Sequence, residues 1–195
     1  MSHRNGQTSL RQAPEHKEEQ SMQDLAALIR TVPDFPKKGI GFKDITTLIK
    51  HGDAFRQAVD AMLAPFAEEH IDLILGVEAR GFLFAAAAAY KLGVGVIPAR
   101  KPGKLPAKVV REEYALEYGT DAVEVHEDAI SPGQRVLVID DLLATGGTTA
   151  AAVRLVERLG GVVVGVSFLI ELAFLHGREK LKGQKVHAVI SCASE

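Results

Sequence analysis

The sequence predicts an α/β protein with a central, mostly parallel sheet flanked by helices, and three observations carry that expectation. LILGV (73–77), VLVI (136–139) and VVVGVSFLI (162–170) are nearly unbroken apolar runs, the pattern of strands buried on both faces. Segments of helical composition fall between the strands, which favours parallel pairing through helical crossovers. A length of 195 residues with 47% hydrophobic content suits one globular domain with a substantial core.

The elements follow in order. MSHRNGQTSLRQAPEHKEEQ is polar and carries Gly6 and Pro14, so residues 1–21 are expected to form a flexible tail ahead of a single domain over 22–195. Residues 22–31 have the spacing of a short amphipathic helix, stopped by Val32-Pro33, and DFPKKGIGFKDITTLI reads as a proline- and glycine-rich loop. A longer helix is expected over 53–69. After LILGV come an alanine-rich helix following Gly81, the strand VGVIP (94–98), a basic loop and the strand VEVHE (123–127). The run VLVI leads to a helix over 149–159, with good helix formers and Gly160 as its stop. VVVGVSFLI and VHAVI (186–190) complete the strands.

Composition excludes several classes. A net charge of −2, from 23 basic and 25 acidic residues, does not suit a protein that coats nucleic acid or an anionic membrane. Cys192 is the only cysteine, so an intrachain disulfide and a cysteine-based zinc site are excluded, and a reducing cytoplasm is the simplest location. No apolar stretch of membrane length and no signal-peptide core is visible, so a soluble protein is expected. The sequence lacks a GxxxxGK[ST] loop, and its seven histidines show no metal-binding spacing.

VLVIDDLLATGGTT (136–149) is the most informative window. It places Asp140 and Asp141 at the carboxyl end of a buried strand, where open α/β sheets bind ligands. Ala144, Thr145, Gly146, Gly147 and Thr148 then form a glycine-rich turn into a helix. Unpaired N–H groups at a helix start, with no side chains in the way, suit a phosphate. Two adjacent carboxylates repel phosphate and call instead for hydroxyls, a cation or a basic group. A ribose 5-phosphate satisfies both halves, whereas an ordinary strand and acidic cap would leave buried carboxylates without partners.

Glu78-Ala79-Arg80-Gly81 repeats the strand, turn, helix arrangement. Arg80 offers a planar fork for phosphate oxygens, although a solvated arginine in an ordinary loop fits equally well in isolation. Arg100, Lys101 and Lys104 sit with two prolines in RKPGKLP, at the start of a long connection running through LEYG. Long loops in compact domains are often lids, and a cationic lid neutralises a diphosphate leaving group. Glu117 in LEYG is placed to exchange a proton with a substrate, surface solvation being the plainer reading. Phe42, between Ile40 and Lys43 in a glycine-rich loop, offers a face to a heterocyclic base or a contact to the core.

VLVIDDLLATGGTT resembles the phosphoribosyl diphosphate signature of type I phosphoribosyltransferases. DFPKKGIGFKDIT, EARGFLF, RKPGKLP and LEYGTD occur in the order found in the adenine-specific branch of that family, and the likeness spans about residues 22–182. The resemblance implies the type I phosphoribosyltransferase fold, with a small N-terminal hood and a flexible lid loop. It implies transfer of phosphoribose from phosphoribosyl diphosphate to adenine, giving AMP and diphosphate in purine salvage. Mg2+ would be held mainly through the diphosphate, in a cytoplasmic homodimer that engages neither nucleic acid nor membrane.

Carried over by motif, Asp140 and Asp141 would hold the ribose hydroxyls directly or through the metal, and Ala144 to Thr148 would wrap the 5-phosphate. Arg80, Arg100, Lys101 and Lys104 would bind diphosphate, the 78–80 turn holding a strained peptide bond. Phe42 would stack on adenine, backbone groups near Ile40 and Lys43 would read its edge, and Glu117 would handle its proton. Lys43 stands where many members have arginine, Ala85-Ala86-Ala87 where glycine and often proline are usual, and VHAVISCASE matches weakly. Hypoxanthine or xanthine is the nearest alternative base. A phosphoribosyl diphosphate sensor bound to nucleic acid is the alternative from another class, and it calls for a basic face that this composition does not supply.

Overall fold

The structure, a computed structural model, describes residues 24–115 and 119–194. The expected tail over 1–21, the start of the first helix and Glu117 lie outside the described residues. The chain divides into two compact units, the first ending at Ala54 and the second running from Phe55.

In the first unit, residues 24–27 are helical (α1). The helix expected up to residue 31 gives way to β1 (Arg30–Val32), which pairs antiparallel with β2 (Phe42–Asp44). The supposed loop from 34 onward therefore contains β2 and also α2 (Thr46–Ile49). Asp44 ties the hairpin to the short helix. It accepts the hydroxyl and backbone N–H of Thr46 at 2.7 and 2.9 Å and pairs with Arg30, which together hold its pKa down to about 2.

The second unit is built on a five-stranded, wholly parallel sheet. Its strands are β3 (Leu73–Val77), β4 (Gly95–Ala99), β7 (Arg135–Leu143), β8 (Val162–Leu172) and β9 (Val186–Cys192), in the order β4-β3-β7-β8-β9. The longest apolar runs are the interior strands, as two-sided burial requires. Val136 to Ile139 and Val164 to Glu171 are buried throughout, while the edge strand β4 alternates. Ser167, fully buried within β8, donates its hydroxyl to Met62 O at 2.7 Å.

VEVHE belongs elsewhere. It lies in β6 (Thr120–His126), which pairs antiparallel with β5 (Val109–Ala115) as a separate ribbon. The long connection expected to form a flexible lid loop thus contains this ribbon. Glu112 and Glu113 hide β5 from a propensity reading, and pairing with β6 is what makes it a strand.

Helices cover the sheet. α3 (Gly52–Leu63) starts near the expected position but stops short of Glu69, because Pro65 lacks an N–H and turns the chain into a 3₁₀ segment, Ala64–Phe66. α4 (Gly81–Leu92) ends on Gly93 in the left-handed region, φ 70°. The alanines of α4 have a packing reason: a Cβ on Gly76 of β3 would lie 2.6 Å from the Cβ of Ala85. Ala85, Ala88 and Ala89 are all buried in this close helix and sheet contact. α5 (Gly147–Arg158) starts two residues earlier than expected, so Gly147 and Thr148 form its first turn.

Candidate active site

Topology assembles the site before any side chain is considered. β4, β3 and β7 are parallel neighbours, so their carboxyl ends lie side by side, with Val77 opposite Ala99 and Gly76 opposite Ile139. The segments leaving those ends are Glu78 to Arg80, Arg100 to Lys104 and Asp140 to Thr148. Three motifs far apart in sequence thereby share one rim, the position at which α/β sheets take ligands.

Asp140 and Asp141 lie within β7, which continues to Leu143. Asp141 is buried and Asp140 half-buried. The Asp140 Oδ1 accepts the Asp141 N–H at 2.8 Å. Burial, and then repulsion from Asp141, raise the Asp140 pKa well above the usual carboxylate range. Burial also raises Asp141, against the opposing pull of Arg80, whose Nε lies 2.7 Å from its Oδ2. That oxygen is ion-paired but accepts no aligned hydrogen bond, so lone-pair capacity remains on a buried carboxylate. Gly81 is required beside the pair, since a Cβ there would meet Asp140 Oδ1 at 2.7 Å and Ile139 O at 3.1 Å.

The turn at 144–148 closes around a concavity of about 80 Å³ lined by Asp140 and Leu142 to Thr149. Gly146 takes φ 75°, a conformation that favours glycine, and no side chain caps the start of α5. Hydrogen bonding of the helix begins with Ala150 N–H donating to Gly146 O at 3.0 Å, which leaves the N–H groups of the first turn ahead of it. The turn is held from behind. A Cβ on Gly146 would run into the carbonyl of Gly177, and one on Gly177 into that of Ala144. Gly177 opens a 3₁₀ segment, Gly177–Leu181, anchored by Arg178, whose Nε and Nη2 each donate to the buried Glu171 at 2.7 Å.

The candidate diphosphate cations gather on partners that sequence reasoning did not assign. Glu78 accepts Arg100 Nη2 at 3.2 Å, Arg100 Nε at 3.3 Å, Lys104 Nζ at 2.9 Å and the Lys101 backbone N–H at 2.9 Å. Burial raises the Glu78 pKa, but the hydrogen bonds from Lys104, Arg100 and Lys101 outweigh it and draw it down to about 2. Lys101 Nζ turns instead to the ribbon, donating to Tyr114 Oη at 2.7 Å and pairing with Asp121. Burial alone would lower the Lys101 pKa, yet Asp121 and Tyr114 raise it, and Asp121 is lowered in return, by Lys101 first. The peptide bond between Glu78 and Ala79 is cis.

Ile40, Phe42 and Lys43 belong to the first unit. Phe42 meets Phe35 edge-on, with ring centroids 5.1 Å apart at 73°, and Phe35 is half exposed, an aromatic partner that the sequence reading missed. Both backbone groups of Ile40 are engaged within its own loop: the N–H donates to Lys37 O at 3.2 Å, and the carbonyl accepts Phe35 N–H at 3.1 Å. Lys43 Nζ donates to Thr31 Oγ1 at 3.1 Å.

Among the described residues no group of three or more His, Cys, Asp or Glu side chains converges as a metal cage. The spare lone-pair capacity on Asp141, beside the Asp140 carboxylate, is an oxygen donor set that would fit Mg2+. Volume alone would point elsewhere. A cavity of about 490 Å³, lined by Leu63, Phe66, Ile71, Leu92 and Val94 near the amino ends of β3 and β4, holds none of these residues.

Comparison with known proteins agrees with the geometry. The phosphoribosyl transferase domain family matches residues 46–194. The chain is 59% identical over 167 residues to an adenine phosphoribosyltransferase of Desulfitobacterium hafniense, covering 86% of this chain and 96% of that relative. A crystal structure of adenine phosphoribosyltransferase from Rhodothermus marinus superposes with a TM-score of 0.87 at 50% identity, covering 89% of this chain and 99% of that one. The Saccharomyces cerevisiae enzyme, complexed with adenine and an imino-altritol bisphosphate, gives 0.83 at 39% identity, covering 88% and 99%.

Proposed function

This chain belongs to the adenine phosphoribosyltransferase family, and on that premise we propose that it transfers the 5-phosphoribosyl group of phosphoribosyl diphosphate to adenine, forming AMP and diphosphate in purine salvage. The carrying observation is the shared rim of β4, β3 and β7. Cations of the 100–104 segment, the Asp140–Asp141 pair and the Ala144 to Thr148 turn leave adjacent strand ends.

The reaction breaks the bond from ribose C1 to diphosphate oxygen and forms a bond from C1 to an adenine nitrogen, which gives up its proton. Positive charge grows on the ribose ring and negative charge on the leaving group. Burial raises the pKa values of Asp140 and Asp141, and repulsion from Asp141 raises that of Asp140 further, so the pair gains most from ribose hydroxyl donors and a developing cation beside it. The first-turn N–H groups of α5, with Thr145 and Thr148, hold the 5-phosphate and so fix C1 relative to that pair. Arg80, Arg100, Lys101 and Lys104 take the diphosphate oxygens. Mg2+, when bound, would supply positive charge that offsets the negative charge of the diphosphate. Phe42 stacks on the base, the backbone near Ile40 and Lys43 reads its edge, and Glu117 accepts its proton.

The protein is further proposed to act in the cytoplasm as a homodimer, in one domain over 22–195 behind an N-terminal tail. The exposed apolar side chains Leu83 and Tyr90 on α4 and Val96 on β4 support an assembly. Sedimentation of the purified chain as a monomer would count against it. Among the described residues no helix is long and apolar enough to cross a membrane.

Incubation of the protein with phosphoribosyl diphosphate, Mg2+ and each purine base in turn tests the activity. AMP formation with adenine, lost on chelation and restored by Mg2+, is the expected result. Preference for hypoxanthine or xanthine would overturn the base assignment. Replacing Glu117 by Ala should flatten one limb of the pH profile, and an unchanged profile would remove Glu117 from proton transfer.

A further inference from the structure

The donors at the head of the 100–104 segment are already engaged, and those of Arg100 Nε and Nη2, Lys104 Nζ and the Lys101 backbone N–H converge on one side chain, Glu78. Arg100 directs Nε and Nη2 at Glu78 and Nη1 at Lys104 O, 3.0 Å away, so that each of its three nitrogens makes a hydrogen bond. Lys104 Nζ and the Lys101 backbone N–H end on the same carboxylate. One acidic group therefore gathers four donor contacts from three residues that leave a neighbouring strand. It does so from beneath: the Glu78 side chain is only 10% exposed, whereas those of Arg100 and Lys104 are 32% and 51% exposed.

Resting on the reading that these residues bind diphosphate, we propose that Glu78 is a positioning residue, an internal stand-in for the diphosphate that keeps the segment gathered and competes with the incoming anion for its donors. The geometry suits an occupant that yields. Charge-assisted N–H···O bonds settle near 2.7–2.9 Å, and both Arg100 contacts, at 3.2 and 3.3 Å, are longer than that. A phosphate oxygen approaching the exposed side of Arg100 and Lys104 meets donors already converged, and it meets the repulsion of a carboxylate behind them. The first effect lowers the ordering needed on binding, and the second limits how tightly product diphosphate is held.

The test separates charge from shape. Glu78→Gln keeps the size and one carbonyl acceptor but removes the competing charge, while Glu78→Asp keeps the charge. Diphosphate with Mg2+ and, separately, ribose 5-phosphate are titrated into each full-length protein by calorimetry, and steady-state rates are measured alongside. Glu78→Gln is expected to bind diphosphate on the order of tenfold more tightly and to lower the product inhibition constant and KM for phosphoribosyl diphosphate. Its kcat should stay level or fall, and its affinity for ribose 5-phosphate should not change. Glu78→Asp should stay near the parent protein.

Retained ribose 5-phosphate binding certifies the fold of each variant. Unchanged or weaker diphosphate binding by Glu78→Gln overturns the proposal. Arg100→Ala distinguishes the failures. If it leaves diphosphate affinity intact, the diphosphate reading itself is wrong and the role of Glu78 falls with it. If it weakens binding while Glu78→Gln changes nothing, only the role of Glu78 is lost.

Discussion

The turn at 144–148 and the cluster around Glu78 are both candidate anion sites on one rim, yet they are built from different materials. The turn uses backbone N–H groups of α5, a left-handed glycine and support from Gly177, with no side chain capping its donors. The cluster uses long cationic side chains whose donors already end on Glu78, Asp121 and Tyr114. A backbone site is rigid and ready, so its ligand loses little to reorganisation. A side-chain site must exchange partners, which makes it adjustable and suits a group that has to leave. The division fits the reaction, in which the 5-phosphate stays bound while the diphosphate departs.

The largest expected effect comes from the carboxylates between the two sites. Converting both Asp140 and Asp141 to Asn should lower turnover by on the order of 1,000-fold while leaving diphosphate binding largely intact. Near-normal turnover in a stopped assay would refute their role.

Next in size is Gly146→Ala. A left-handed φ of 75° and the approach of the Gly177 carbonyl leave no room for a Cβ. Strain of about 1–3 kcal/mol should lower the melting temperature by several degrees and raise KM for phosphoribosyl diphosphate about tenfold, measured by calorimetric melting and initial rates. A variant with unaltered melting and KM would show that the turn is less rigid than the contrast requires.

A smaller effect is expected for Arg100→Gln, because Lys104 and Lys101 remain. KM for phosphoribosyl diphosphate should rise roughly fivefold with a steep salt dependence, whereas the KM change in Gly146→Ala should depend little on salt. Equal salt dependence in the two variants would erase the distinction between the sites.

The subtlest effect lies in the pH dependence of stability. Glu78 is depressed from 4.5 to about 2 in the folded protein, so it contributes stability that is present above pH 4.5 and lost as pH falls toward 2. Asp140 is raised, so its contribution is present below its ordinary value of 3.8 and lost as pH rises through the folded value. Urea unfolding of the ligand-free protein across pH should show Glu78→Gln flattening the acid limb and Asp140→Asn flattening the loss on the other side. Matching slopes in parent and variants would contradict both assignments.

Much of this was legible locally. β3 coincides with LILGV, and the interior strands are the runs without polar alternation. The Gly-Gly-Thr turn, the paired aspartates and the basic stretch after β4 each announce their chemistry within a few residues. Other features were not, for identifiable reasons. Glu78 reads as one more acid in a loop, because its partners lie 22 to 26 residues away. Tyr114 and Asp121 hold Lys101 only because β5 and β6 pair, and two glutamates disguise β5. Gly177 supports the 144–148 turn from a segment with no motif of its own.

The sequence by itself determined the α/β class, the interior strands and the residue types for a phosphate, a polyol and a second anion, since periodicity, glycine turns and charge are local properties. Tertiary structure decided which strand ends became neighbours, which acid holds which base, and which carboxylates are raised or lowered. Those outcomes depend on burial and on partners brought together by pairing in the order β4-β3-β7. No window of the chain contains both members of such a contact.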